Sequence, residues 1–166
     1  MRYRASALLS ISLVTALLAE ERLPFALYPV AAKESGDTRG YMFTQAVTGE
    51  QKTGLYHDRP VVTIAGIDRL SLTYIEMSAA PFPAFSFRFT KEAATKLQAA
   101  LEAAGTAQFA VFIDGHCYST VDAATLKPVI NGNRVLNITV RGPYDDATRH
   151  LMELVVEKLT PKLPKP

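Results

Sequence analysis

The chain predicts an α+β fold: a mixed or mainly antiparallel sheet with two helices packed on one face. Three observations carry this. Apolar and polar residues alternate at period two around residues 70–75, 85–89 and 135–140, which is strand periodicity. Two segments, 91–104 and 143–159, carry apolar residues at helical spacing. Asp114-Gly115 directly follows an apolar run, and Asp-Gly is a favoured two-residue hairpin turn because both positions tolerate positive φ. Helices with one apolar stripe need a sheet to cover, and strands with one apolar face need helices.

The first nineteen residues read as a signal peptide. Arg2 and Arg4 supply a positive start, and residues 5–19 (ASALLSISLVTALLA) are apolar apart from small hydroxyl residues. That run is shorter than the roughly 20 apolar residues that span a bilayer. Cleavage after Ala16, Ala19 or, extending the leader, Ala26 leaves a small residue at the cut. An uncleaved leader would act as an anchor, the one route to a membrane that the sequence offers. The expected location is periplasmic or secreted.

The leader holds two of the 18 Lys+Arg and none of the 16 Asp+Glu, so the body beyond it is neutral with 16 of each. A neutral body offers no broad electrostatic footprint for nucleic acid. The single cysteine, Cys117, excludes an internal disulfide, so stability rests on core packing. It is either a buried small apolar residue or a free thiol that joins two chains.

Residues 20–59 read as a lead-in with a possible extra strand at 41–47 (YMFTQAV), followed by a polar, turn-rich stretch. The main domain is expected over 60–159. Residues 61–64 are a short apolar run of edge-strand length. Leu70, Leu72 and Tyr74 alternate with Ser71, Thr73 and Ile75; Phe85, Phe87 and Phe89 alternate with Ser86, Arg88 and Thr90. These two strands pair around the AAPFP segment at 79–83.

Thr90 is placed to cap a helix, with Glu92 in the first turn at the positive end of the dipole. Ala93, Leu97, Leu101 and Ala104 form its stripe, and Gly105 is placed to end it. The FAVFI run at 109–113 is apolar on both alternating faces, as a central strand is. The chain returns through His116-Cys117-Tyr118, and 126–133 crosses to a turn. Leu136, Ile138 and Val140 share one face of a further strand. Pro143 starts the last helix, with Asp145 and Asp146 in its first turn and a stripe of Ala147, Leu151, Leu154, Val155 and Leu159. Residues 160–166 are expected as a disordered basic tail.

The segments FSFRFTKEAATKLQAALEAAG, FAVFIDGHCYS and PVINGNRVLNITV, with the helix after them, resemble the head part of the first periplasmic domain of SecD. SecD is a subunit of the bacterial protein-export machinery. The likeness runs over residues 85–155, with residues 60–68 (PVVTIAGID) similar to the entry segment of small stand-alone relatives. Ser119-Thr120-Val121 stands where that family often has Ser-Ala-Pro, and Gly105-Thr106-Ala107 replaces its Asn-x-Gly. The resemblance implies the fold, a cell-envelope location and contact with polypeptide during export. The membrane spans through which SecD couples proton flow to motion have no counterpart in residues 20–166.

Asp114, His116 and Cys117 form the one tempting chemical cluster. Adjacent strand residues point to opposite faces, so His116 and Cys117 diverge, and the turn accounts for Asp114. No catalytic residue, metal ligand or cofactor-binding residue is assigned. His57 and His150 lack partners at ligand spacing, and no phosphate loop, nucleophile elbow or paired-cysteine motif occurs. The expected function is a non-catalytic binding module whose interaction loop is Asp114, Gly115, His116, Tyr118 and Ser119, with a protein or polypeptide partner. The alternatives are a small envelope hydrolase using His116 or Cys117, and a structural envelope component held by its leader.

Overall fold

A computed structural model describes residues 22–77, 80–103, 108–140 and 145–164. The proposed leader at 1–19, the helix end at Ala104 and Gly105, and Pro143 lie outside them.

The order of elements is β1 (Phe25–Ala31), β2 (Thr38–Thr44), β3 (Gln51–His57), β4 (Val62–Thr63), β5 (Ile67–Met77), β6 (Ala80–Phe89), α1 (Lys91–Glu102), β7 (Gln108–Ile113), β8 (His116–Asp122), α2 (Ala123–Asn131), β9 (Val135–Thr139) and α3 (Asp146–Leu159). The fold is α+β, and every strand ladder among the described residues is antiparallel. There are two sheets where the periodicity suggested one. The first runs β2-β3-β1-β7-β8 with β4 also on β1, and the second runs β5-β6-β9.

The lead-in is no lead-in. Its residues supply β1, β2 and β3, and β1 lies in the centre of the first sheet, paired over Phe25–Pro29 with β7. Phe25, Ala26 and Leu27 are wholly buried. Cleavage after Ala26 would therefore remove two core residues, and the boundary expected near residue 60 does not exist. The local pattern hid β1 because it is buried on both faces and contains Pro29. The carbonyl of Leu27 accepts from Val61 N on the β4 side, so Pro29, two residues on, also faces away from β7. There β1 changes partner, from β4 at Leu27 to β3 at Val30, and a missing N–H breaks no ladder. Gly54 interrupts β3, which is why its sequence resembles a turn-rich stretch. The Tyr41 ring lies over Gly54 so closely that a Cβ there would meet it within 3 Å, and the ring covers the gap left by the absent side chain.

β5 and β6 pair as the alternation predicts, with Leu70 opposite Phe87 and Leu72 opposite Phe85. β6 starts at Ala80 and runs through Pro81 and Pro83. Pro83 O accepts from Val140 N, so both prolines face the β9 side and leave the β5 ladder whole. Phe85, Phe87 and Phe89 are buried and form the inner face with Leu136 and Ile138. Each such side chain contributes about 1.5–3 kcal/mol by removal from water. Phe25 of the first sheet meets Phe87 of the second with ring centroids 4.5 Å apart, which joins the two sheets in one core.

α1 begins where the sequence places it. Thr90 Oγ1 accepts from Ala93 N at 3.1 Å, and Ala93, Ala94 and Leu97 are buried. The helix ends at Glu102. α2 is a third helix, formed where a segment crossing to a turn was expected. Asp122 caps it by accepting from Thr125 N at 2.7 Å, and Leu126 is its buried anchor. Pro128 inside the helix masked the signal, since proline removes an interior hydrogen bond.

α3 starts at Asp146, with Asp145 as its cap accepting from Thr148 N at 2.7 Å. Its expected stripe needs correction. Leu151 is 64% and Leu154 47% exposed, whereas Met152 and Leu159 are buried and Val155 and Val156 pack beside them. The helix is rotated so that its 152–156–159 side, with Val155 at the boundary, meets the core. The expected disordered tail is also corrected through residue 163: a 3₁₀ turn spans Thr160–Lys162 and Leu163 packs on the core. No described helix is long and apolar enough to cross a membrane.

Candidate functional site

Asp114 (φ 50°) and Gly115 (φ 78°) make the predicted hairpin turn, both with the positive φ that type I′ requires. The turn is tied down. Asp114 Oδ2 accepts from Lys158 Nζ of α3 at 2.6 Å, and this bond holds the Asp114 carboxyl below the usual carboxylate range. The Arg22 side chain lies against Gly115.

The rest of the expected interaction loop divides between surface and core. His116 is exposed and pairs with Ile113. A β-bulge follows: Cys117 pairs with Phe112 and Ser119 with Val111, so Tyr118 is the extra residue. Tyr118 turns inward and meets the Phe85 ring edge-on at 6.0 Å. Burial pushes its phenol up. Ser119 Oγ donates to Thr120 O at 3.2 Å. Cys117 is half-buried, and desolvation pushes its thiol up to about 12. A thiol held protonated is a poor nucleophile. Among the described residues, no three His, Cys, Asp or Glu side chains gather as a metal site. His57, unpartnered by spacing, meets Asp37 across an exposed turn at 3.1 Å. After Tyr118 the chain continues as β8 and then forms α2.

What the structure brings together is a groove of about 190 Å³ between the two sheets. Phe43 and Thr44 of β2, Cys117 and Tyr118 of β8, and Thr139 and Val140 at the end of β9 line it. β8 is the last strand of the first sheet and β9 the last of the second. The direction of the β9 edge follows from its hydrogen bonds. Val140 N donates to Pro83 O, and Arg134 O accepts from Phe89 N, so the even positions face β6. The backbone groups of Asn137 and Thr139 therefore point away from β6, where no described strand pairs with them.

A second concavity, a shallow basin of about 400 Å³, lies on the outer face of the second sheet. Arg69, Ser71, Ser86, Arg88, Asn133 and Val135 line it. Cross-strand register makes it: Arg69 sits opposite Arg88, Ser71 opposite Ser86, and Arg88 opposite Val135. A bulge between Ile67 and Arg69 sets Asp68 beside Arg88, whose Nε donates to the Asp68 carboxylate. Sequence reasoning assigned no role to these residues. The available signal was an arginine at an outward position of each of two paired strands.

No family model, no curated protein and no solved structure matches the chain.

Proposed function

We propose that this protein is an exported, non-catalytic module of the cell envelope that holds an extended polypeptide segment by strand addition along β9. The groove between β8 and β9 carries the reading. Phe43, Tyr118 and Val140 give it apolar walls, and the β9 edge that runs from it at Thr139 offers the outward N–H and C=O groups of Thr139 and Asn137 as a ladder. An unpaired sheet edge is a hazard in a free protein, because it templates pairing with other chains. Here the same property serves capture. The leader-like start and the resemblance of residues 85–155 to the SecD head support a location where unfolded chains emerge.

Fluorescence anisotropy with a labelled, extended, apolar heptapeptide tests this on the purified protein. Binding is expected, and Thr139→Pro is expected to weaken it about tenfold or more by removing one outward N–H. Because that N–H takes no part in the β6 ladder, the variant keeps its fold, which thermal melting checks. Absence of binding, or binding that Thr139→Pro leaves unchanged, overturns the proposal.

A further inference from the structure

We infer that the arginine basin receives a carboxylate of the bound polypeptide. This rests on the strand-addition reading and adds what kind of segment the edge prefers.

Arg69 and Arg88 stand directly opposite each other on paired strands. Like charges so placed repel. Asp68 offsets one of them through the Arg88 Nε, while Arg69 forms no ion pair with a described residue. The cluster of Arg69, Arg88 and Asp68 thus carries one net positive charge. That balance suits a monoanion and would be exceeded by a phosphate ester of nearly two charges. The Arg88 terminal nitrogens and the whole Arg69 guanidinium remain as donors, and a planar guanidinium matches a carboxylate in a two-point fork.

The floor adds neutral donors. The Ser71 and Ser86 hydroxyls line the basin and make no hydrogen bond to a described residue. Asn133 Oδ1 accepts from Val135 N at 3.0 Å, which leaves its amide NH₂ to donate.

The basin and the groove share one strand. Val135 lines the first and Thr139 the second, and both lie on the face of β9 opposite buried Leu136 and Ile138. Four strand residues span about 13 Å. A segment of about four or five residues laid along the β9 edge therefore runs from the groove to Val135 at the rim of the basin, from which a carboxylate turned across β9 faces Arg88 and, beyond it, Arg69.

The test compares three labelled heptapeptides of one apolar sequence: free C-terminus, amidated C-terminus, and amidated with one internal Glu. The free acid or the Glu peptide is expected to bind about tenfold tighter than the neutral amide, which is the scale of one charge-assisted bond. Which of the two binds tighter identifies the source of the carboxylate. Arg69→Gln is expected to abolish the preference and leave the neutral amide unchanged. N-acetylglycine, titrated separately by NMR, is expected to shift the Arg69 and Arg88 side-chain N–H signals. Equal binding of all three peptides, or a preference that survives Arg69→Gln, overturns the inference and leaves the groove reading standing. If no peptide binds but N-acetylglycine still shifts both arginines, strand addition falls and the carboxylate site stands. No shift and no preference sinks it.

Discussion

Asp114 and Lys158, 44 residues apart in sequence, meet at 2.6 Å and tie the β7–β8 hairpin to the last turn of α3. The contact joins a turn that the sequence announces to a helix face that it does not. Lys158 also lies in the last turn of α3, where a cation suits the helix dipole. The pair is partly exposed, with side chains 54% and 33% accessible, so solvent screens it.

Asp114→Asn removes the charge and keeps a residue that tolerates positive φ. It is expected to destabilise the protein by about 0.5–1 kcal/mol at pH 7. The folded carboxyl titrates below its ordinary range, so the stabilisation is full above that range. It is lost as pH falls through the lowered folded value. Urea unfolding of wild type and Asp114→Asn should therefore show a gap at pH 7 that closes as pH falls below the ordinary carboxylate range. A gap that persists in acid would assign the effect to the turn and not to the ion pair.

The rotation of α3 gives a direct contrast between neighbours. Met152→Ala is expected to cost about 2–5 kcal/mol, because Met152 is buried against the core. Leu151→Ala is expected within about 0.5 kcal/mol of wild type, since the side chain is largely in water. Denaturant midpoints of the two variants decide the helix orientation. The reverse order would restore the stripe read from spacing alone.

Cys117 should be slow to react in the native protein. With its thiol pushed up to about 12, the thiolate fraction at pH 8 falls on the order of a thousandfold below that of an unfolded cysteine. A chromogenic disulfide reagent is expected to label it slowly in buffer and rapidly in urea. The sign for stability follows: the unfolded thiol ionises first, so stability is full below about pH 8.5 and declines as pH rises above it. Fast native labelling would return Cys117 as a candidate nucleophile.

The elements legible from sequence are those whose burial has a simple local period. β5, β6 and β9 show alternation, and α1 shows both its cap at Thr90 and its anchor at Leu97. The Asp114-Gly115 turn is set by backbone sterics within two residues. Where proline or glycine interrupts a period, the reading failed: Pro29 concealed β1, Gly54 concealed β3 and Pro128 concealed α2. In β1 and β3 a neighbour from another strand compensates, and in α2 a residue of the helix itself does. β4 and β3 meet β1 on either side of Pro29, the Tyr41 ring covers Gly54, and the buried Leu126 anchors α2.

By itself, the order of residues determined an α+β fold with a mixed or mainly antiparallel sheet, the N-terminal cap of α1, the hairpin at 114–115 and a core built on three alternating phenylalanines. Those features depend on interactions within a few residues. Tertiary structure decided that residues 25–57 belong to the body, which side of α3 is buried, and that Arg69 stands beside Arg88 while β8 and β9 flank a groove. Register between strands and the seating of a helix are set by contacts across tens of residues, and a local hydrophobic period carries no record of which partner will supply them.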